Sequence, residues 1–437
     1  MFRKTFHQPS NIEEFKQKLL RWGAQFEVCC FLNNNNYPEH HFSYSSFEIK
    51  MAVNVITELL PQEKINSFSA LDNFIENNSN WLFGFLTYEL KDSCENLKST
   101  NPDNICLPEL YFFQPQIIIT IHRNQTVEIE LSDICPKPAK QIFEDISSFS
   151  YYSNNERQNI SVMPRVSREK YLENVKKIKS HILRGDIYEL NYCIEFFSHN
   201  KINPVDEYLN LQEISPAPFA SFFRYKEKYL LCASPERYLK KTGNQIISQP
   251  IKGTSRRGIT KNEDDVLKTH LYTDTKERAE NIMIVDLVRN DLSKIAARKS
   301  VKVEELCGIY TFEQVHQMIS TVSARNNNYG IAEILKHTFP MGSMTGAPKI
   351  KAMKLIEKFE NSRRGLYSGA VGYISPEKDF DFNVVIRSMI YNAYQNYLSF
   401  MVGSAITSRS VPEHEYDECL LKAKAIRQIL NKEHQYA

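Results

Sequence analysis

The stretch QPIKGTSRRG at residues 249–258 places one amine among groups that suit anions. Lys252 is the only side chain in this stretch that becomes a nucleophile when a proton is removed. Gly253 lets the backbone turn sharply or approach a ligand, and Arg256 and Arg257 follow as permanent cations. If the two arginines lie near Lys252, we expect them to lower its pKa by like-charge repulsion. On this stretch alone, a nucleophilic lysine and a basic surface turn both stay open.

Two pairs of carboxylates recur at helical spacing in the second half of the chain. Glu277 and Glu280 lie three residues apart, as do Glu415 and Glu418, so on a helix each pair projects from one face. Carboxylates from two helices would form an oxygen cradle for Mg²⁺, which takes one or two carboxylates together with water and ligand oxygens. Taken singly, each pair is better explained as a solvated helix face. A magnesium site is the alternative that needs both pairs together.

Two further features suit an anionic ligand. Residues 339–357 (FPMGSMTGAPKIKAMKLIE) lead two glycines and two hydroxyl groups into a helix, where backbone N–H groups can hold an anion. Arg387 follows an apolar, strand-like run, and a buried arginine is unfavourable unless it meets an anion. A glycine turn that caps a structural helix explains the first feature about as well as an anion site does. A structural ion pair explains the second feature about as well.

The composition is that of a folded protein. The 437 residues are 42% hydrophobic, and the net charge of +2 gives no support to nucleic-acid or anionic-membrane binding. No apolar run approaches the ~20 residues that a transmembrane helix needs, and the N-terminus lacks the apolar core of a secretory signal. Nine cysteines without metal-binding spacing fit reduced thiols. We therefore expect a cytoplasmic protein with no nucleic-acid or membrane partner.

Helices and strands that could position these residues are mixed along the chain without strict alternation. Residues 167–186 have one apolar helical face, with Ser167 as a candidate N-cap and Gly185 as a candidate C-cap. Further helices are predicted at about 262–297 and 413–433. Strands are predicted at 26–32, 81–90, 109–122, 126–131, 188–197, 219–225, 228–234, 244–251, 370–375, 381–391 and 397–406. This order predicts an α+β fold with largely antiparallel sheets.

Six motifs, in order, resemble those of the chorismate-utilising enzymes. They are PIKGT, ERAENIMIVDLVRNDL, GSMTGAPK, RRGLYSGAVGYI, IRS and EYDECLLKAKAI, within residues 165–430. The family includes anthranilate synthase component I, aminodeoxychorismate synthase component I, and the isochorismate and salicylate synthases. The resemblance implies two packed, largely antiparallel β-sheet subdomains flanked by helices (α+β, α/β), a Mg²⁺-dependent site and chorismate as the substrate.

The same resemblance, together with a change in the composition of the sequence near residue 150, divides the chain into two parts and a linker. Residues 1–150 are expected to form an N-terminal subdomain of the component I type. Residues 151–164 are polar and are predicted to be a linker. Residues 165–432 are expected to form the chorismate-binding catalytic domain.

Within the family, position 252 separates the activities. Anthranilate synthases resemble PIAGT here, whereas PIKGT resembles aminodeoxychorismate synthase component I. The resemblance implies that Lys252 attacks C2 of chorismate and expels the C4 hydroxyl, and that ammonia then adds at C4 and displaces the lysine. The product would be 4-amino-4-deoxychorismate, on the way to 4-aminobenzoate and folate.

Other roles carry over residue by residue. The resemblance implies that Glu236 is the general acid or base and that His316 faces the substrate ring. It implies Glu280 and Glu418 as direct Mg²⁺ ligands, with Glu277 and Glu415 acting through water. The implied substrate contacts are Thr254, Thr345, Tyr367, Arg387 and the backbone at Gly403.

One position departs from the family pattern. YELN at residues 188–191 stands where aminating members resemble a tyrosine followed by glutamine, and where the water-using isochorismate and salicylate synthases carry a lysine as general base. Glu189 argues against water activation, although a carboxylate there could itself act as a base. Anthranilate synthase component I and isochorismate or salicylate synthase therefore stay as alternatives. A relic that only binds chorismate is disfavoured because Glu236, Lys252 and both predicted metal ligands are present.

The sequence shows no glutaminase motif, that is, no cysteine nucleophile with a downstream His-x-Glu pair. An aminating enzyme of this type would take ammonia from outside. We therefore expect a separate glutamine amidotransferase subunit (component II) as a partner.

Overall fold

The computed structural model describes residues 2–37, 47–60, 66–95, 97–151, 159–313 and 315–431. Within these ranges the chain forms twenty strands and eleven α-helices. Every pairing between the described strands is antiparallel. The predicted α+β fold with largely antiparallel sheets is confirmed. None of the described helices is both long and apolar enough to cross a membrane.

The strands are β1 (Phe2–His7), β2 (Val28–Asn33), β3 (Phe47–Leu59), β4 (Leu82–Leu86), β5 (Leu110–His122), β6 (Val127–Ser132), β7 (Met163–Pro164), β8 (Glu189–Ser198), β9 (Phe219–Tyr225), β10 (Lys228–Ser234), β11 (Arg237–Thr242), β12 (Gln245–Gln249), β13 (Ile251–Arg256), β14 (Lys302–Thr311), β15 (Val315–Arg325), β16 (Gly346–Ala347), β17 (Ala370–Ile374), β18 (Phe380–Asn383), β19 (Ser388–Asn392) and β20 (Tyr397–Ile406). The helices are α1 (Ile12–Gly23), α2 (Ser67–Asn77), α3 (Lys91–Glu95), α4 (Ala139–Ser147), α5 (Arg168–Leu183), α6 (Pro204–Ile214), α7 (Lys261–Thr273), α8 (Thr275–Ser293), α9 (Ile331–Thr338), α10 (Lys349–Phe359) and α11 (Pro412–Leu430).

Local capping explains where two of the predicted helices begin and end. Ser167 caps α5 by accepting the N–H of Lys170, as predicted. The helical stretch predicted at 262–297 is two helices, because Asp274 interrupts it. The side chain of Asp274 accepts the N–H groups of Lys276 and Glu277, so it starts α8 as a new helix.

Strand β5 connects two arms of one hydrogen-bonded network. One arm runs from β3 through β2, β9, β10, β19 and β20 to β8. The other runs from β4 through β17, β18, β11 and β12 to β15. The arms pack face to face: the rings of Phe85 and Phe223 lie 5.2 Å apart, and those of Tyr111 and Tyr225 lie 4.6 Å apart. A continuous apolar core therefore fills the space between the arms.

Helices cover the outer surfaces of the sheet with their apolar faces. Helices α1, α4, α5, α6 and α11 contribute side chains to a second large core on the outside of the first arm. Helices α2, α8 and α9 contribute to the core that the two arms share. Each fully buried Leu, Ile or Phe side chain adds about 1.5–3 kcal/mol to stability by leaving water. The packing thus holds α8 and α11, which carry the predicted acidic pairs, against opposite arms.

Strand pairing crosses the boundary predicted at residue 150. Strand β2 pairs with β9, and β4 pairs with β17. Half of the predicted linker, residues 152–158, lies outside the described residues, and its last two residues form β7 against β8. The division into 1–150 and 165–432 stays a prediction.

The prediction of one continuous strand at 381–391 is wrong. It breaks between β18 and β19, and Arg387 in the break has a positive φ of 52°. The apolar run in NVVIRSM conceals this break, because tertiary contacts and not local preference impose it. The break also places the N–H of Val384 3.0 Å from the carbonyl oxygen of Glu236.

Candidate active site

Lys252 lies on β13 at an irregular point of its pairing with β15. The register shifts between Ile251 and Thr254, and Gly253 has a left-handed φ of 105°. A Cβ at Gly253 would lie 3.2 Å from a carboxylate oxygen of Glu277, so the glycine allows α8 to approach the strand closely. Asn281 of α8 donates to the carbonyl oxygen of Lys252 at 3.0 Å. Strand and helix are thereby fixed to each other at the predicted nucleophile.

The amine of Lys252 is surrounded by carboxylates. Its Nζ lies 3.2 Å from Oε2 of Glu280, and both side chains are largely buried. Burial alone lowers the pKa of Lys252, but four neighbouring carboxylates raise it, and the net shift of the pKa is upward. The four carboxylates are Glu280, Glu189, Glu418 and Glu277. The side chain is therefore held as an ammonium ion in this arrangement.

The expectation that Arg256 and Arg257 lower the pKa of Lys252 is wrong. Arg256 pairs with Glu263, and Arg257 pairs with Asp264 at 2.8 Å. Both arginines thus bind the first turn of α7 instead of facing Lys252. Their role is to hold the strand that carries the lysine against a helix.

Glu236 is a buried carboxyl group between β10 and β11. It is 4% exposed, and the hydroxyl of Ser343 donates to its Oε1 at 2.7 Å. Burial raises its pKa to about 7, against the opposing effects of the Ser343 hydrogen bond and of the Lys252 and Lys422 charges. A carboxyl group with this pKa is partly protonated at neutral pH, as a general acid must be.

Glu189 is the second buried carboxyl group that faces this cluster. It begins β8 and is 2% exposed. Burial raises its pKa to about 7, while the charge of Lys252 lowers it and that of Glu280 raises it further. Among the described residues, no group hydrogen-bonds to its Oε2.

On the other side of the cluster, Arg387 and α11 form a cationic wall. Nη1 of Arg387 donates to the carbonyl oxygen of Lys422 at 3.1 Å, which is a neutral acceptor. Burial lowers the pKa of Arg387, and the neighbouring Tyr367 and Glu418 raise it. Nζ of Lys422 lies 2.6 Å from Glu418 and 2.9 Å from the carbonyl oxygen of Gly403. The arrangement suits a carboxylate ligand, since an arginine on a neutral partner keeps its charge for an anion.

Gly403 is required by close packing of β20 on β8. A Cβ there would lie 2.5 Å from Sγ of Cys193 and 2.7 Å from Oδ1 of Asn191. Any larger residue would push the two strands apart. The predicted backbone contact of Gly403 with the substrate stays a prediction.

Three other predicted residues are placed differently from the central cluster. Thr254 is exposed on β13. The hydroxyl of Thr345 is fully buried and lies 3.2 Å from the carbonyl oxygen of Met341, within its own turn. His316 is fully buried, with Nε2 3.0 Å from Asp264 and Nδ1 3.0 Å from Thr311. Both ring nitrogens are thus satisfied as in a structural histidine, and the roles of all three residues in substrate binding or catalysis stay predictions.

The two members of each predicted acidic pair differ in burial and in the groups that they contact. Glu280 is buried and contacts Lys252, whereas the partly exposed Glu277 has a pKa that is raised by burial and by the charge of Glu280. Glu415 is buried and accepts a hydrogen bond from Ser404. Glu418 is partly exposed, and although burial acts to raise its pKa, Lys422 and Lys252 lower it to about 2.

These carboxylates fit the chemistry of a Mg²⁺ site. The charges of Glu280, Glu418 and Glu277 act on the ammonium group of Lys252 and raise its pKa, so a cation is favoured beside them. Across the described ranges, no set of three His, Cys, Asp or Glu side chains could hold a metal ion by itself. A Mg²⁺ site with one or two protein carboxylates needs no such set, because water and ligand oxygens complete it. The metal assignment stays a prediction.

Comparison with known proteins identifies the family. Residues 29–428 match the family described as chorismate binding enzyme. The chain belongs to the chorismate binding enzyme family. It is 30% identical over 363 residues to aminodeoxychorismate synthase component 1 of Bacillus subtilis (strain 168), covering 79% of this chain and 76% of the relative. It is also 31% identical over 367 residues to anthranilate synthase component 1 of Aquifex aeolicus, covering 80% and 74%.

A third relative is more similar over a shorter region. The chain is 40% identical over 279 residues to the chloroplastic aminodeoxychorismate synthase of Arabidopsis thaliana, covering 62% of this chain but only 30% of that protein. Among solved structures, anthranilate synthase component I from Streptococcus pneumoniae TIGR4 matches with a TM-score of 0.77 at 24% identity, covering 88% and 92% of the two chains. The menaquinone-specific isochorismate synthase of Escherichia coli matches with a TM-score of 0.76 at 16% identity, covering 99% and 95%. The predicted fold is confirmed, and the relatives carry more than one activity.

Two residues at the site were missed by sequence reasoning. Lys422 lies four residues after Glu418 on α11, and this helical spacing was a signal that could have found it. Ser343 was identified only as a hydroxyl near a helix start. Its hydrogen bond to Glu236 joins residues 107 positions apart, and no local pattern predicts such a contact.

Proposed function

We propose that this enzyme aminates chorismate at C4 and releases 4-amino-4-deoxychorismate, the reaction of aminodeoxychorismate synthase component I. The observation that carries the proposal is Lys252, a largely buried amine at the centre of the charged cluster. An alanine here, as in the PIAGT of anthranilate synthases, would offer no nucleophile. The curated relatives named aminodeoxychorismate synthase support the same choice.

The charges of the site would fix the substrate by its two carboxylates. Arg387 and Tyr367 would hold the enolpyruvyl carboxylate, together with the backbone at Gly403. Mg²⁺ held by Glu280 and Glu418, with Glu277 and Glu415 acting through water, would supply the positive charge that binds the ring carboxylate. Binding at two points would set C2 of the ring against Lys252.

The first chemical step is the loss of the C4 hydroxyl. The neutral amine of Lys252 forms a bond to C2, both ring double bonds shift by one position, and the C4–oxygen bond breaks. Glu236 donates its proton to the departing oxygen, which leaves as water. Its pKa of about 7 supports this role, and a positioned acid typically accelerates such a step about 10²–10⁴-fold.

The second step replaces the lysine by ammonia. The nitrogen of ammonia forms a bond to C4, both ring double bonds return to their original positions, and the bond between C2 and Lys252 breaks. The enolpyruvyl group stays on the ring, because pyruvate is lost only if a proton is abstracted from C2. Ammonia would come from a separate glutamine amidotransferase subunit, and the product would lead to 4-aminobenzoate and folate in the cytoplasm.

Product analysis tests the proposal. Purified protein is incubated with chorismate, Mg²⁺ and ammonium, and products are separated by liquid chromatography with mass detection. We expect 4-amino-4-deoxychorismate with little pyruvate. Stoichiometric pyruvate with fluorescent 2-aminobenzoate would indicate anthranilate synthase. Isochorismate formed without ammonium would indicate that water is the nucleophile, and either result would reject the proposal.

A further inference from the structure

We propose that Glu189 binds the ammonia that adds to C4 and orients it toward the ring. This inference rests on the proposed amination of chorismate. It assigns to a residue of this chain the task of receiving the nitrogen nucleophile, which none of the other site residues performs.

The position of Glu189 is fixed by its backbone. It begins β8 and pairs with Ala347 of β16. Gly346 packs so closely on it that a Cβ there would lie 2.2 Å from the carbonyl oxygen of Glu189. The main chain on both sides of the carboxyl group therefore has little freedom to move.

The side chain of Glu189 offers a buried acceptor with no donor. The residue is 2% exposed, and its Oε2 has no hydrogen-bond partner among the residues that the structure describes. Lys252, whose charge acts on Glu189, makes its ion pair with Glu280. A buried polar atom without a partner costs stability, so its presence calls for an explanation such as a bound ligand, water or ion.

Ammonia matches this acceptor in its chemistry. A carboxylate only accepts hydrogen bonds, so it favours a small ligand that presents N–H donors, and more so one that develops positive charge. Because the charges of Glu189 and Lys252 act on each other, a nitrogen bound at Oε2 lies near a ring attached to the lysine. No other partner within the described chain competes for this oxygen.

The role leaves the chemical balance of the second step unchanged. The lone pair of ammonia forms the bond to C4, and the bond between C2 and Lys252 breaks with its electron pair on Nζ. The proton shed by the new nitrogen passes to Nζ. Glu189 gains and loses no proton; it holds one N–H group of ammonia until the bond to C4 has formed.

Three proteins compared side by side test this assignment: wild type, Glu189→Gln and Glu189→Leu. Initial rates of 4-amino-4-deoxychorismate formation are measured against ammonium at saturating chorismate and Mg²⁺, and then against chorismate at saturating ammonium. We expect Glu189→Leu to raise the KM for ammonium about ten- to a hundredfold, the loss expected for one hydrogen bond to a charged group. Glu189→Gln keeps a neutral acceptor and should raise the same KM by a smaller factor, at least about threefold. The KM for chorismate should change less than about twofold in both variants, because ammonia alone meets this acceptor.

Glu89→Gln is the matched control. Glu89 is another buried carboxyl group, 7% exposed, whose pKa burial also raises to about 7. Its replacement should leave the KM for ammonium unchanged. Thermal unfolding of each variant establishes that it is folded, and if Glu189→Leu does not fold, the Glu189→Gln measurement decides.

An unchanged KM for ammonium in a folded Glu189 variant would overturn the assignment. Equal losses for ammonium and chorismate would also overturn it, since they would show a structural role. If wild type aminates chorismate and the variants keep their affinity for ammonium, only this inference fails. If wild type forms no 4-amino-4-deoxychorismate at all, the proposed function fails with it.

Discussion

Lys252 is held as an ammonium ion by carboxylates, whereas the proposed attack on C2 needs its neutral amine. The ion pair with Glu280 both positions the nitrogen and withholds its lone pair. The nucleophile therefore acts only after a proton has left Nζ. This makes the residue a sensitive point at which to test the reaction.

Replacement of Lys252 by alanine should abolish amination while the fold is kept. We expect Lys252→Ala to lower turnover with ammonium by at least about a thousandfold, as the loss of a covalent nucleophile does. Lys276→Ala is the matched control, because Lys276 also lies near Glu280, at 3.8 Å, but is more exposed and outside the proposed chemistry. Initial rates and chorismate binding by calorimetry check both variants. Unchanged turnover in Lys252→Ala would remove it from the mechanism.

Glu236 should make both rate and stability depend on pH near 7. Because its pKa is raised to about 7 in the folded protein, turnover should fall as pH rises through about 7. The same shift makes a contribution to stability that is complete below the unfolded value of about 4.3 and is lost as pH rises through about 7. The stability of Glu236→Gln relative to wild type should therefore rise by roughly 3 kcal/mol from pH 4 to pH 8.

Urea unfolding at both pH values measures this gain. The variant should also turn over at least about a hundredfold more slowly than wild type at neutral pH. A stability difference that is the same at both pH values would mean that Glu236 is not the buried proton carrier that its surroundings indicate.

The sequence predicted which residues lie near one another better than the contacts that each of them makes. Motifs and spacing identified Lys252, Glu236 and the acidic pairs. They could not show that Arg257 pairs with Asp264 and does not approach Lys252, because the partner of Arg257 depends on where α7 packs. They gave no sign that Ser343 reaches Glu236, since three strands of the second arm, β11, β12 and β15, lie between them in the chain.

At the scale of elements, α8 and α11 each bring one acidic pair to the site. Helical spacing predicted that the members of a pair share a face. The ends of α11 were predicted nearly correctly, whereas α8 was predicted only as part of a longer helix. What spacing could not predict was which member turns inward. Glu280 contacts Lys252 and Glu418 contacts Lys422, while Glu415 bonds to Ser404.

Four glutamine variants rank these carboxylates as Mg²⁺ ligands. We expect Glu280→Gln and Glu418→Gln each to raise the Mg²⁺ concentration for half-maximal activity at least about tenfold, because each removes a charged oxygen from a hard cation. Glu277→Gln and Glu415→Gln should have smaller effects. Activity titrated against Mg²⁺ in all four variants gives the order, and the reverse order would show that the other member of each pair binds the ion.

At the scale of the whole molecule, the two halves of the chain share hydrogen-bonded strands. Strand β2 of the first half pairs with β9 of the second half, and β4 pairs with β17. A fragment of residues 159–431 would leave those edges of β9 and β17 without partners and would expose part of the common core. We expect this fragment to be insoluble or to lack a cooperative thermal transition, whereas the full chain unfolds cooperatively.

Circular dichroism and calorimetry of the fragment and the full chain test this expectation. Cooperative unfolding of the fragment alone would instead establish residue 150 as a true domain boundary. Composition and texture indicated that boundary, but strand order between distant segments is not visible in a single sequence.

The pairing of early strands with late ones has a consequence for how the protein is made. Phe83 of β4 lies opposite Tyr373 of β17, so one edge of β4 stays open until most of the chain has left the ribosome. Likewise, one edge of β2 has no partner until β9 has been synthesised, since Cys29 of β2 lies opposite Arg224 of β9. Contacts so distant in sequence slow folding, because long loops must close before the pairing stabilises them. The half-synthesised chain, with two apolar strand edges open, is therefore the form most exposed to aggregation during expression.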